Sequence, residues 1–251
     1  MPVPRFFVSM PLVAGESITL PNDVALHMRV LRLTAGDPII LFNGMGGEFN
    51  ATVLTIDKKQ LLAQVVAHDS CALRNTEPPY QLTLAQGIAS GDKMDWLIEK
   101  AVELGVHRIV PITTSKSVVR LAGERAVRRH HHWQALVRAA CEQCGRNQLP
   151  VVDAPIDFST WLSTLPQTAP ANHSTRFMLS PRATRGFQTL PVTPPAEPVI
   201  LLIGPEGGLT AAEEQAAAAY DFFELSLGPR VLRTETAGIA ALAGLAIRWG
   251  G

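Results

Sequence analysis

Two short turns hold the residues of this chain best suited to chemistry. One lies within SLGPRVLRTETAG, Ser226 to Gly238, where an apolar run from Phe222 to Leu227 stops at Gly228-Pro229. Arg230, Arg233 and Glu235 follow directly, ahead of an Ala/Leu/Gly-rich helical pattern. Thr234 is placed to cap that helix and Glu235 to lie near its positive end, which explains both without any function. The arginines need another reason. Cations near a helix N-terminus are disfavoured, so a pair of them there implies an anionic or electron-rich ligand, such as a phosphate or a base carbonyl.

The other turn has the same grammar. VILLIGPEGGLTAAEEQ is an apolar run, a Gly-Pro, a glutamate and then a helix. Glycine allows close backbone approach and positive φ, and proline stiffens the entry. Thr210 with Glu213 three residues on forms a capping box. Neither G-x-G-x-x-G nor the G-K-[ST] of a phosphate loop is present, so a dinucleotide or nucleoside-triphosphate site is poorly supported.

The elements that must position these turns differ between the two ends of the chain. From Tyr80 onward apolar strand-like runs (LTLAQGI, RIVPIT, RFMLS, VILLIG, FFELSL) alternate with helical patterns, the longest covering roughly Gly123 to Cys144. Such alternation predicts a parallel sheet covered on both faces, with ligands beyond the carboxyl ends of its strands. Both Gly-Pro turns fall at those ends. Met94, Leu97, Ile98 and Ala101 recur at helical spacing, with Gly105 as the stop. Before residue 70 the chain reads as β: RFFV, PIILFNG, EFNATVLTI and QLLAQVVAH are separated by MGG and DKK, and a helix over Val24 to Leu33 is capped by Asn22 or Asp23. This predicts a small barrel or sandwich. Residues 69 to 79, ending in Pro78-Pro79, read as a boundary between a first domain, 1–72, and a second, 73–251. Residues 150 to 197 read mainly as Pro-rich connectors.

Composition narrows the class. With 251 residues, 47% hydrophobic and 18% charged, the chain is globular, and its formal net charge of +0 excludes a global basic field. Residues 1 to 70 carry five basic and six acidic side chains. Any contact with a nucleic acid would therefore have to come from local patches. Arg5, Arg29 and Arg32 are candidates in the first domain, and Lys116 to Arg129 is a basic run in the second, although a solvated helix face explains such runs equally well. Three cysteines and no secretory leader indicate a reducing, cytoplasmic setting, and the most apolar stretch, Ala237 to Ile247, is too short to span a membrane. Cys141-x-x-Cys144 lacks a second pair, so neither it nor His130 to His132 makes a zinc site, and no metal is expected.

GPEGGLT followed by LSLGPRVLRTETA resembles the RsmE family within the SPOUT class of S-adenosylmethionine-dependent RNA methyltransferases. QGIASGDKMDWLIEKAVELGVHRIVPITTSKSVV, ACEQCGR and RFFV agree with it, in the same order and across nearly the whole chain except roughly Asp153 to Pro198. The resemblance implies an α/β fold: a SPOUT-type parallel sheet with a C-terminal trefoil knot, preceded by a small PUA-like β-barrel that binds RNA. It implies a homodimer that methylates N3 of one uridine in 16S ribosomal RNA of the small subunit.

S-adenosylmethionine would be held by Ile203, Gly204, Pro205, Glu206, Gly207 and Gly208 together with Ser226, Leu227, Gly228, Val231 and Leu232. Uracil N3 carries a proton and is a poor nucleophile, so Arg233 or Arg230 would stabilise the developing anion, with Glu235 or Glu206 orienting it. Arg5, Arg29, Arg32, Arg120, Arg128 and Arg146 would meet the RNA. Two other readings stand beside this one: methylation of another position, such as a transfer-RNA ribose hydroxyl, and a non-catalytic assembly factor.

Overall fold

In the computed structural model, the described residues are 3–57, 60–70, 76–167 and 175–250. Lys58, Lys59, Cys71 and the expected boundary at residues 72 and 73 lie outside them. The chain forms two compact units, Met1–Glu77 with Cys141–Leu149, and Pro78–Ala140 with Pro150–Gly251.

The first unit is a five-stranded sheet of β1 (Arg5–Phe7), β2 (Ser17–Thr19), β3 (Pro38–Phe42), β4 (Glu48–Ile56) and β5 (Leu61–Asp69), with helix α1 (Asn22–Val30). Strand order is β1-β3-β4-β5-β2; β1 and β3 are parallel and the other pairs antiparallel. Alternate residues Phe49, Ala51 and Val53 of β4 and Leu61, Ala63 and Val65 of β5 turn inward, as the two-residue period requires. Phe6, Met28 and Leu41 complete that core. Strand β2 was missed because SIT is too short for alternation to register. Helix α1 is also not capped as expected. Its cap is Pro21, in extended backbone and without a side-chain hydrogen bond, because Asn22 is already helical and Asp23 accepts only from the adjacent Val24 N–H.

Residues 141–149 join this unit through polar contacts. The Arg5 guanidinium pairs with Glu48 and donates to Asn147 Oδ1 and the Gly145 carbonyl, and the Phe7 N–H donates to Glu142 at 2.9 Å. Arg146, 3% exposed, is clamped by Glu77 at 2.6 Å. Arg5 and Arg146 were expected to meet RNA. Both guanidinium groups are instead committed inside the unit, where buried carboxylates need compensating charge. Cys141 is likewise structural: burial pushes its thiol up to about 12, and its sulfur lies 3.8 Å from the Gln148 carbonyl.

The second unit contains β6 (Leu82–Gly87), α2 (Lys93–Glu103), β7 (Arg108–Thr113), α3 (Gly123–Cys144, whose last turn counts with the first unit), β8 (Val151–Val152), β9 (Ile156–Asp157) and α4 (Phe158–Ser163). Then come β10 (Arg176–Leu179), β11 (Val199–Ile203), α5 (Ala211–Ala218), β12 (Phe223–Leu225) and α6 (Thr234–Trp249). The sheet runs β12-β10-β11-β6-β7-β8, with β9 also on β7, and every pair is parallel. Strands β6 and β11 are buried almost continuously, as a sheet covered on both faces demands. The predicted α/β alternation, α3 and the Gly105 stop (φ +83°) are all present.

The connector region holds more structure than expected. Asp157 caps α4 by accepting from the Ser159 N–H, and Phe158, Trp161 and Leu162 are its buried face. In α6, Gly238 and Ala241 belong to the core: a Cβ on Gly238 would sit 3.2 Å from Leu97 of α2 and 3.3 Å from the Gln86 amide. Among the described residues, no helix is long and apolar enough to cross a membrane, and no group of three His, Cys, Asp or Glu could hold a metal.

Arg5→Ala removes the charged partner of Glu48, which is 4% exposed. It is expected to lower unfolding free energy by about 3 kcal/mol, measured by urea denaturation. An unchanged urea midpoint would return Arg5 to the surface role first expected of it.

Candidate functional site

The two Gly-Pro turns meet around one cavity of about 570 Å³ at the carboxyl ends of β10, β11 and β12. Residues 203–209 form one side and Leu227, Gly228 and Arg230 to Thr234 another. Leu179 at the end of β10, Ser180 to Arg182 beyond it, Leu225 and Ala237, together with Lys116 and Glu214, complete the wall.

Backbone proximity positions the first turn. A Cβ on Gly87, at the end of β6, would lie 2.3 Å from the Pro205 nitrogen, so no larger residue fits there while the two strand ends touch. Gly208 has φ +68° and its N–H closes the turn onto the Pro205 carbonyl at 2.8 Å. Thr234 ties this contact to α6. Its hydroxyl donates to the Gly204 carbonyl at 2.6 Å and accepts from the Gln86 amide at 2.8 Å. The expected cap function is therefore displaced: Arg233 occupies the N-cap without a side-chain bond, because the Thr234 hydroxyl is used between the strands.

Two glutamates fasten neighbouring loops to the same turn. Glu206 accepts from the Ser90 N–H at 2.9 Å and the Ser90 hydroxyl at 2.7 Å, with Lys93 Nζ at 3.6 Å. Glu213 accepts from the Ser115 N–H at 2.8 Å while completing the capping box with Thr210 that the sequence predicted. Burial acts to raise both carboxyl pKa values. The bonds from Ser90 to Glu206, and from Ser115 and Thr210 to Glu213, outweigh it and leave both below the ordinary range. Lys116 reaches the Leu209 carbonyl at 3.1 Å.

Of the residues expected to hold a cofactor, Ile203 to Gly208, Leu227, Gly228, Val231 and Leu232 line the cavity. Ser226 does not; its hydroxyl accepts from the Gly228 N–H at 3.1 Å and shapes the turn. Arg230 and Arg233 both line the cavity and are exposed, and among the described residues neither makes an ion pair. Glu235 departs from expectation. It is 8% exposed in the first turn of α6, is absent from the cavity wall, and its Oε2 has no hydrogen-bond partner. Glu206 lines the cavity but is committed to Ser90 and Lys93, so neither glutamate orients an arginine here. Of the arginines expected at RNA, Arg29 (donating to the Asp57 carbonyl), Arg32, Arg120 and Arg128 are exposed.

Sequence reading missed Gln86, Ser90, Thr234 as a bridge, and Arg182, which pairs with Glu214 at the rim. Gln86 was visible as the single long polar side chain in an apolar strand run, since a buried amide there needs partners. The others depend on contacts distant in sequence.

Thr234→Val leaves the Gly204 carbonyl and one Gln86 bond unmade in a buried place. It is expected to cost about 1–3 kcal/mol, read from thermal and urea unfolding; a neutral effect would show that the bridge holds nothing. Glu206 gives a pH signature. Its folded pKa is lowered, so its stabilisation is complete above the ordinary value of 4.5 and disappears as pH falls through the folded value. Melting temperature followed from roughly pH 6 to pH 3 should therefore fall less steeply in Glu206→Gln than in the wild type, and parallel curves would contradict this.

Comparison with known proteins places this geometry. A family model for the RNA methyltransferase domain matches residues 76–246, and one for the RNA methyltransferase PUA domain matches residues 20–66. Ribosomal RNA small subunit methyltransferase E of Buchnera aphidicola is 31% identical over 249 residues, 99% of this chain and 97% of its own; that of Bacillus subtilis is 30% identical over 96% and 95%. The solved structure of the Neisseria gonorrhoeae enzyme of that name, bound to S-adenosyl methionine, superposes with a TM-score of 0.88 at 34% identity and 98% coverage of both chains. A Legionella pneumophila protein solved with S-adenosyl methionine does so at 0.89, with the same identity and coverage. The family model covers most of the chain and the relatives nearly all of it: this chain belongs to the RNA methyltransferase family of ribosomal RNA small subunit methyltransferase E.

Proposed function

We propose that this chain transfers a methyl group from S-adenosylmethionine to N3 of one uridine in 16S ribosomal RNA of the small ribosomal subunit. The observation that carries the reading is the single cavity into which both Gly-Pro turns and both unpaired arginines open. The cavity suits this cofactor. The cradle admits no side chain at Gly204, where a Cβ would lie 2.9 Å from the Gly208 carbonyl carbon, so this part of the wall is main chain that a ligand can approach closely. Leu179, Ile203, Leu225, Leu227 and Leu232 supply apolar wall for a flat purine. Residues 204–208 and 227–232 would hold it. When bound, S-adenosylmethionine supplies an electrophilic methyl carried on a sulfonium.

The chain's own residues must then manage charge. Uracil N3 gives up its proton as it reacts, and negative charge spreads onto the flanking carbonyl oxygens. A guanidinium facing that position from the cavity wall stabilises the charge where water is sparse. We assign this to Arg233 or Arg230. The N3 proton passes to solvent, since the carboxylates of the wall, Glu206 and Glu214, are engaged by Ser90 and Lys93 and by Arg182.

The same reading takes the first unit, with Arg29 and Arg32, as the RNA-binding domain (residues 1–72) and residues 73–251 as the methyltransferase domain. It includes Arg120 and Arg128 as RNA contacts, a homodimer in the cytoplasm, and a C-terminal trefoil knot. Membership of the methyltransferase family is what supports the knot.

Small ribosomal subunits from cells lacking this protein, incubated with the enzyme and labelled S-adenosylmethionine, should gain one N3-methyluridine, detected by mass spectrometry. The arginine responsible should lose on the order of a hundredfold in methyl transfer on conversion to alanine, while calorimetric affinity for S-adenosylmethionine stays near wild type. Full activity in both Arg230→Ala and Arg233→Ala would overturn the assignment, and a mark elsewhere in the RNA would overturn the N3 reading.

A further inference from the structure

A second cavity, of about 440 Å³, lies in the same unit. The turn after β6 links it to the first. Ala89 and Gly91 line the second cavity, while Ser90 between them is fixed to Glu206 of the first. The β7–α3 loop does the same, with Lys116 at the first cavity and Val119 and Leu121 at the second.

The remaining side of the second cavity is one face of α3. Arg125, Arg128, Arg129 and His132 stand at i, i+3, i+4 and i+7, all on the cavity wall, and the fully buried Trp133 follows. This arrangement costs helix stability. Arg125 repels Arg128 and Arg129, three and four residues on, and it stands in the first turn of a 22-residue helix, at the positive end of the dipole. A merely solvated face would not enclose a cavity. Among the described residues, no carboxylate lines the cavity. Asp95, beside it, is occupied by the Trp133 indole N–H at 3.0 Å, His132 at 2.7 Å and Arg129 at 3.6 Å. Glu124 meets Arg128 at 3.3 Å but is 91% exposed, so solvent screens that pair. Arg125 makes no ion pair among the described residues. The cavity is thus a concave cationic surface: among the described residues Arg129 and His132 share Asp95, Arg128 has only a solvent-exposed partner, and Arg125 has no ion pair.

We propose that this cavity binds a backbone phosphate of the RNA strand whose target base enters the larger cavity. Arg125 and Arg128 contact the phosphate, and Ala89, Val119 and Leu121 give apolar surface to the adjoining sugar. The inference rests on the methyltransferase reading and adds to it a place for the strand beside the target nucleotide. The shared 88–91 turn sets the spacing between the two places.

The test uses the full-length chain and small ribosomal subunits from cells lacking it, with binding followed across a salt series. The Arg125→Ala/Arg128→Ala variant should bind these subunits on the order of tenfold more weakly, and its slope of log Kd against log salt should fall by about 0.7 for each lost phosphate contact. Calorimetric affinity for S-adenosylmethionine should not change. Arg125→Lys/Arg128→Lys, which keeps both charges, should keep most of the slope. Wild-type affinity and slope in the alanine variant would overturn the proposal while leaving the methyltransferase reading intact. A change in the variant's solution mass by light scattering would also overturn it, marking the face as an interface between copies of the chain. If the wild type binds the subunits but transfers no methyl group, the reading of function fails, and the salt slope still decides the phosphate site.

Discussion

Everything at the site depends on two strand ends meeting backbone to backbone. Gly87 at the end of β6 and Pro205 beyond β11 are too close for any side chain between them. The buried hydroxyl of Thr234 fastens the start of α6 across the same junction. Once that contact exists, the turns on either side have little freedom. Glu206 holds the 88–91 turn and Glu213 the 114–117 loop, each by accepting a backbone N–H that would otherwise need water. At Gly204, Pro205, Gly207 and Gly208 the cavity wall is therefore main chain and small side chains, held in place by carboxylates and a hydroxyl. That part of the wall keeps its shape without the entropy loss of ordering long side chains.

Against this stiff background the arginines are placed where helix electrostatics disfavours them. Arg230 and Arg233 precede α6, and Arg125, Arg128 and Arg129 occupy the leading half of α3. Each cluster begins at the positive end of a helix dipole, with Arg233 and with Arg125, and each lines a cavity. Elsewhere in the chain arginine is used differently. Arg5 and Arg146 are matched to carboxylates and carbonyls inside the first unit, and Arg108 makes a two-point contact with Asp153. The contrast separates cations that hold the protein together from cations left available for an incoming anion.

Much of this was legible in the residue order, for identifiable reasons. Apolar runs in β6, β7 and β11 are long enough to announce buried parallel strands, and the capping box at Thr210 is entirely local. The GPEGG and GPRVLR turns advertise a site because glycine, proline and arginine have few other reasons to be adjacent to a helix start. What stayed hidden is what depends on distance in sequence. The pairing of Arg5 with Glu48 and of Arg146 with Glu77 cannot be seen from either residue's neighbours, so both looked like surface cations. The use of Thr234 as a bridge, in place of a cap, required Gly204 and Gln86 to be brought beside it. In the connector region, β8 and β9 are two residues each and carry no period, and α4, read as connector, left only the cap Asp157 and the spacing of Phe158, Trp161 and Leu162 as its signal.

The first unit is assembled from two separated stretches, and this has a consequence for how the chain emerges from the ribosome. When residue 77 has been made, the sheet can pair, yet the Phe7 N–H still lacks Glu142 and Arg5 still lacks Asn147 and the Gly145 carbonyl. Those partners arrive only after another 65 to 70 residues, about 3 to 14 seconds later at ordinary elongation rates. Throughout that interval the N-terminal strand is an unfinished edge, and vectorial synthesis cannot complete the first unit before a large part of the second has been translated.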